Sequence, residues 1–296
     1  MQIPPNRGHL LTEQVHEEKQ ELDLLSTFEC VSLLSEDHQE AIRAVQRASN
    51  DIANFIDALV QKISNGGRLI YFGCGTSGRL GVLDAAECPP TFQSSPGLVI
   101  GLIAGGDASL RISSEAKEDD PDGIAPEFDR IKLTNQDTVL GIAAGGTTPW
   151  VLGGLEIAKK HSATTAFLTC SDISPKVDYL IQLKTGAEPL TGSTRLKAGT
   201  ATKLTLNIIT TTLFTKLGKV YGNLMVDLKA TNSKLLDRAI RIVSTICEID
   251  RETSAELLER ATGDVKVAVL MHKKTIEATE ARTVLDEVGG NLRAAL

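Results

Sequence analysis

The sequence predicts an α/β fold: a parallel sheet flanked by helices, with a helical N-terminal segment and a small helical C-terminal module. Three observations predict it. Short apolar runs recur at Leu69–Phe72, Leu98–Ala104, Thr138–Ala144, Thr164–Cys170 and Tyr179–Leu183. Most are separated by segments long enough for a helix, with Gly or Pro at the junctions. Strands alternating with helices build parallel sheets with helices on both faces. Outside this region the apolar residues recur every three or four positions, which is the helical period.

Residues 1–20 are polar and read as extended, suited to lying on a partner surface. Ser26 and Glu29 have capping-box spacing and open a short helix. Ser35 is placed to cap a longer one, in which Ala41, Val45, Ala48, Ile52, Ile56, Leu59 and Ile63 form a stripe ended by Gly66–Gly67. Beyond the strands, Ser193 to about Leu217 reads as one long helix of buried character. From Asn232, residues Leu235, Leu236, Ala239, Ile242, Val243 and Ile246 form another amphipathic face. Two or three short helices complete the tail; Ala281, Val284, Leu285 and Val288 share a face, and Gly289–Gly290 is a stop. The expected division is an N-terminal helical segment (1–50), a sheet domain (51–228) and a C-terminal helical module (229–296).

The composition excludes several classes of function. Among 296 residues the apolar share is 42% and the charged share 23%, ordinary for a globular chain. A formal net charge of −7 leaves no broad basic field for nucleic acid or an acidic membrane. Aromatics, at 4%, are too few for a base-stacking platform. Five scattered cysteines without CxxC pairs read as reduced thiols of a cytoplasmic protein. The start has no signal-peptide core and no run approaches a membrane span. The dispersed histidines show no metal-ligand spacing.

Ligands of such sheets bind beyond the carboxyl ends of the strands. The first loop there is Gly73-Cys74-Gly75-Thr76-Ser77-Gly78. It matches the GxGxxG pattern, but the acidic companion of a dinucleotide site is missing at the usual distance. Gly75, Thr76 and Ser77 instead suit a phosphate cradle of amides and hydroxyls; an ordinary tight turn is the plain alternative. The second loop, Gly145-Gly146-Thr147-Thr148-Pro149, offers similar groups, with Pro149 suited to a helix's first turn. Two such loops on one sheet edge fit a phosphorylated small molecule.

Glu87 lies in Asp84-Ala85-Ala86-Glu87-Cys88-Pro89-Pro90. The helix opened by the first loop is expected to run about two turns and end at the double proline. An acid in its last turn faces the negative pole of the helix, which raises a carboxyl pKa and suits a general acid. By itself Glu87 is also consistent with an ordinary surface carboxylate. The run Glu115-Ala116-Lys117-Glu118-Asp119-Asp120 is either a solvated face or the source of a second acid at the same mouth. Thr191-Gly192-Ser193-Thr194-Arg195-Leu196-Lys197-Ala198-Gly199-Thr200 reads as an anion-facing helix start, with Ser193 and Lys197 as candidates, or as a cap followed by solvated cations.

Taken together, these stretches resemble the N-acetylmuramic acid 6-phosphate etherase family, within the sugar-isomerase (SIS) superfamily of phosphosugar binders. The similarity runs through STFE near residue 26, GGRLIYFGCGTSGRLGVLDAAECPPTF, GLIAGG, TGSTRLKAGTATKLTLN, GKVYGNLMVD and GGNLRAAL. It implies a SIS-type sheet, a homodimer with its site near the subunit interface, and a phosphorylated amino sugar as substrate. It implies an ether cleavage without cofactor, because the carbonyl of the open-chain sugar stabilises the carbanion. The family's two acids match Glu87, as the acid on departing lactate, and Glu118, as the base at C2. Two stretches depart from the family. Its second loop usually reads Ser-Gly-Arg-Thr-Pro-Tyr, against Gly145-Gly146-Thr147-Thr148-Pro149-Trp150 here, and Val15–His16 stands where Arg-Asn-Pro is usual. A non-catalytic phosphosugar sensor and an aldose–ketose isomerase are the alternatives; a dinucleotide-dependent oxidoreductase fits least.

Overall fold

The computed structural model describes residues 6–16, 21–113, 117–228 and 232–296. They form two compact units: the chain up to Ala86 with Gly97–Thr210, and Glu87–Pro96 with Thr211–Leu296.

The first unit begins with a 3-10 turn at Leu11–Glu13, where Leu10 and Thr12 are buried, so this stretch is not an extended arm. Residues 1–5 and 17–20 of the expected arm lie outside the described residues. Helices α1 (Thr27–Asp37), α2 (Gln39–Arg47) and α3 (Ser49–Ser64) follow. The Ser26 capping box forms as expected, with the Glu29 carboxylate accepting the Ser26 N–H at 2.8 Å. It starts the helix early enough to place Ser35 inside α1, not at a cap. The single long helix is therefore interrupted. His38 turns its ring nitrogen onto the Leu34 carbonyl at 2.6 Å, and Ala48 leaves helical geometry at φ −86°, ψ 6°.

The sheet has five strands, β1 (Leu69–Gly73), β2 (Val99–Ile103), β3 (Thr138–Ile142), β4 (Thr164–Thr169) and β5 (Tyr179–Gln182). They lie in the order β2-β1-β3-β4-β5 and all pair in parallel. β1 and β3 are buried along their whole length, which is why they read as unbroken apolar runs. On one face, Phe72 meets Phe128 edge-on at 5.7 Å and Trp150 at 6.0 Å between ring centroids. Such pairs add about 0.5–1.5 kcal/mol each beyond the area they bury. At the amino end of the sheet the Arg68 guanidinium grips Asp137 with two bonds, 2.8 and 2.7 Å long.

Helix α4 (Gly75–Phe92) leaves the first loop, α5 (Ala125–Arg130) precedes β3, and α6 (Pro149–Lys160) leaves the second loop with Pro149 in its first turn. α4 continues through Pro89 and Pro90 instead of ending there. The prolines remove the helical donors of the Ala85 and Ala86 carbonyls, but their fixed φ remains helical. The last helix of this unit, α7 (Lys197–Lys216), begins four residues later than expected. Ser193–Leu196 forms turns instead, closed by Ser193 N–H to Leu190 O and Leu196 N–H to Ser193 O.

α4 and α7 both run on into the second unit, where Phe92 and Phe214 stack at 4.5 Å. The KVYGNLMVD stretch forms a small antiparallel hairpin of β6 (Val220–Tyr221) and β7 (Leu224–Met225). Helix α8 (Ser233–Cys247) starts on an Asn232 side-chain cap, and Val226, Val243, Val267, Val269, Leu270 and Leu292 belong to the core. α9 (Arg251–Arg260), α10 (Val265–Lys274), α11 (Ala278–Glu287) and α12 (Leu292–Ala295) complete the chain, more short helices than the tail's pattern suggests. Buried Lys266 holds this unit's ends together, donating to Asp227 Oδ2 at 2.6 Å, Gly290 O at 2.6 Å and Gly218 O at 3.2 Å.

Candidate functional site

The first loop is tight, and at two of its positions only glycine fits. A Cβ on Gly78 would stand 2.5 Å from the Gly73 carbonyl oxygen, and Gly75 takes φ +52°. Only glycine tolerates both demands at no cost. The turn leaves Gly75 exposed and Thr76 and Ser77 half-buried in the first turn of α4, where helix amides favour an anion.

The second loop is built differently. Gly146 takes φ +80°, and a Cβ there would meet Ile173 at 2.7 Å and Thr169 Oγ1 at 3.0 Å. Gly145 and Thr147 are half-buried beside it. Next to Gly145 stands Thr12. Its hydroxyl oxygen lies 3.5 Å from where a Cβ on Gly145 would be, is buried, and has no hydrogen-bond partner among the described residues. An unsatisfied buried hydroxyl costs about 1–3 kcal/mol. Sequence patterning does not single out Thr12, which sits in a segment whose polarity suggests an arm.

Glu118 stands between the two loops. Its carbonyl accepts the Trp150 N–H at 2.9 Å, which ties the acidic turn to the start of α6. Its side chain is half-buried and close to the first loop. Burial pushes the Cys74 thiol up to about 12, and the negative charges of Glu118 and Asp119 add to the rise. Cys74 is accordingly a protonated, unreactive thiol. Glu115 and Ala116 of the same run lie outside the described residues.

The TGSTRLKAGT stretch also reaches the first loop. A Cβ on Gly199 would stand 3.5 Å from the Thr76 methyl. Ser193 is half-buried in the preceding turn, and Glu13 Oε2 lies 3.3 Å from the Cβ position of Gly192. The start of α7 is already occupied by the chain's own carboxylate. Buried Glu188 accepts the N–H groups of Lys197 at 3.1 Å and Ala198 at 2.9 Å. Lys197 is 3% exposed, and its ammonium pairs with Asp37 Oδ1 at 2.7 Å, where His16 also approaches at 3.2 Å. The local sequence hides this, because Asp37 is 160 residues away.

Glu87 is exposed and belongs to the second unit. Because α4 continues to Phe92, Glu87 lies before the last helical turn, outside the reach of the helix pole expected to act on it. Among the described residues no group of three or more His, Cys, Asp or Glu is arranged to hold a metal ion.

The structure thus brings Gly75, Thr76, Ser77, Glu118, Gly145, Gly146 and Thr147 to the carboxyl edge of one sheet, with the TGSTRLKAGT turn beside Thr76. Residues 51–159 match the model of the glucokinase regulatory protein N-terminal SIS domain, and residues 222–284 match that protein's C-terminal lid domain. A phosphoheptose isomerase structure from Francisella tularensis aligns with a TM-score of 0.49 at 17% identity, covering 64% of this chain and all of that one. An N-acetylmuramic acid 6-phosphate etherase of Crocosphaera subtropica is 50% identical over 98% of this chain and 96% of its own length. That of Trichodesmium erythraeum is 49% identical over 98% and 95%, and that of Synechocystis 48% identical over 100% and 98%. With about half of its residues identical to such enzymes from end to end, the chain belongs to the N-acetylmuramic acid 6-phosphate etherase family.

Proposed function

We propose that this protein cleaves the D-lactyl ether of N-acetylmuramic acid 6-phosphate by elimination and hydration, giving N-acetylglucosamine 6-phosphate and D-lactate. One observation in the site supports it above others: Glu118 stands between two glycine- and threonine-bearing loops at the carboxyl edge of the sheet. A carboxylate there is suited to act on a sugar whose phosphate is held by the loops.

In the open-chain sugar the C1 aldehyde acidifies the C2 proton. Glu118 removes that proton, and the electron pair forms a C2–C3 double bond as the C3–O bond breaks. Glu87 gives its proton to the departing lactate oxygen, then takes one from the water that adds at C3, while Glu118 returns its proton to C2. The substrate's own carbonyl carries the charge between these steps, so the chemistry calls for no cofactor. Gly75, Thr76, Ser77, Gly145, Gly146, Thr147 and Ser193 are the proposed substrate and phosphate contacts. Lys197 joins them by sharing an ammonium already paired with Asp37.

In the same proposal residues 51–228 are the phosphosugar-binding domain, with 1–50 and 229–296 as helical appendages; the match of 51–159 to a SIS domain supports the first. A homodimer is part of it, supported by the exposed Leu24, Phe28 and Val31. So is a cytoplasmic location, which the free cysteines support. Among the described residues no helix is long and apolar enough to cross a membrane.

A non-catalytic phosphosugar sensor is the alternative that specific observations favour: the likeness to regulatory-protein domains and a second loop without serine or arginine. Incubation with N-acetylmuramic acid 6-phosphate and a D-lactate assay separates the two. Lactate release supports the etherase; binding without release supports the sensor. Interconversion of hexose phosphates without lactate would mark an isomerase.

A further inference from the structure

Asp84 has no part in the proposed chemistry, yet it is a carboxylate only 5% exposed, one helical turn before Glu87. Its Oδ2 accepts the Tyr71 hydroxyl of β1 at 3.1 Å. Its Oδ1 accepts Asn207 Nδ2 at 2.8 Å and Thr210 Oγ1 at 3.3 Å, both from α7. Burial pushes Asp84 above the ordinary carboxylate range, against the pull of these bonds and of the nearby Lys203 ammonium. An isolated buried carboxylate is costly, so one held by donors from two other elements acts as a strong geometric constraint.

The next turns of α4 need such a constraint. Pro89 and Pro90 have no N–H, so the carbonyls of Ala85 and Ala86, which flank Glu87 on its N-terminal side, lose their helical donors. A proline inside a helix costs about 3 kcal/mol, and here two stand in succession. The turn that carries Glu87 therefore lacks two helical hydrogen bonds, and on its C-terminal side α4 is held by side-chain packing such as the Phe92–Phe214 stack. On the other side it is pinned at Asp84, to the strand that leads into the first loop and to the helix that carries Gly199.

We infer that Asp84 is a positioning residue for Glu87: its hydrogen bonds to Tyr71, Asn207 and Thr210 fix the turn of α4 from which Glu87 protonates the leaving lactate. The inference rests on the role proposed for Glu87. Small displacements of a catalytic group are enough to matter; about 1 Å can cost on the order of a hundredfold in rate.

A double-mutant cycle tests it, with steady-state lactate release as the readout and thermal unfolding as the check on folding. Asp84→Ala is expected to lower kcat by about tenfold or more with KM changed by less than about threefold. In the Glu87→Gln background the same change is expected to lower the residual rate by less than about twofold, because a residue acting through Glu87 has nothing left to position. Asp84→Asn keeps the shape and an acceptor for α7, and should recover most of the rate. Where Asp84→Ala does not fold, Asn207→Ala serves in the same cycle. Equal losses in both backgrounds, or kcat and KM worsening together, would overturn the positioning role. If the wild-type protein releases no lactate, the role proposed for Glu87 fails and this one with it; if it releases lactate and the cycle is additive, only Asp84 is misassigned.

Discussion

Glu188 and Lys197 meet through the backbone: the buried carboxylate accepts the Lys197 N–H at 3.1 Å and the next one, on Ala198, at 2.9 Å. A carboxylate at a helix start satisfies amides that would otherwise lack partners and complements the positive pole. Removing it leaves both donors buried. Glu188→Ala is expected to cost about 1–3 kcal/mol per orphaned donor, seen as a lower urea midpoint. An unchanged midpoint would show that the N-terminus of α7 does not depend on this cap.

The Arg68–Asp137 pair yields a pH dependence with a defined sign. Burial pushes the Asp137 carboxyl up, but the Arg68 guanidinium and the Thr134 bonds outweigh it and hold it below its ordinary value of 3.8. A depressed acid contributes stability above its unfolded pKa and loses it as pH falls through the folded one. Arg68 keeps 28% of its side chain exposed, so Asp137→Asn should destabilise the protein at pH 7 by about 1.5–3 kcal/mol, the worth of hydrogen bonds to a charged group. The gap between variant and wild type should close as pH falls below 3.8. Urea unfolding at several pH values measures both; a gap that persists in acid would assign it to packing.

The second loop is predicted to contribute affinity. Thr147 is half-buried where the proposed phosphate lies, and a hydrogen bond to a charged group is worth about 1.5–3 kcal/mol. Thr147→Val should raise KM for the phosphosugar by about tenfold or more with a smaller effect on kcat. Gly146→Ala should be worse, since its φ of +80° and the 2.7 Å approach to Ile173 leave no room for a methyl. If KM stays unchanged in Thr147→Val, the loop does not hold the substrate.

Much of this fold is legible in the sequence, and the reasons are specific. β1 and β3 are buried on both faces, so Leu69–Phe72 and Val139–Ile142 are apolar without a break. Glycines at Gly73, Gly78 and Gly146 mark the loops because close backbone contacts require them. Helix boundaries are less legible. The Pro89–Pro90 pair is a stop signal by local rules, yet α4 runs on to Phe92, where a ring stack with Phe214 rewards continuation. Thr12, Glu188 and Asp37 escape notice because their importance comes from neighbours distant in sequence: Gly145, Lys197 and Ala198. Glu118, found through its acidic run and family likeness, does stand at the loops.

Glu87 is the side chain whose loss should separate binding from chemistry. Glu87→Gln keeps size and hydrogen bonding but cannot donate or take a proton as an acid does. Turnover should fall by more than about a hundredfold, within the range of general acid–base catalysis. Circular dichroism and KM should stay near wild type. A near-normal rate would remove Glu87 from the chemistry.

The central claim is that the ether is broken by elimination and the product completed by water at C3. The direct measurement is turnover of N-acetylmuramic acid 6-phosphate in deuterium oxide enriched in oxygen-18, followed by mass and NMR analysis of both products. Elimination and hydration place deuterium at C2 and heavy oxygen at C3 of N-acetylglucosamine 6-phosphate and leave D-lactate without heavy oxygen. Protium retained at C2, heavy oxygen in lactate, or no lactate at all would contradict it.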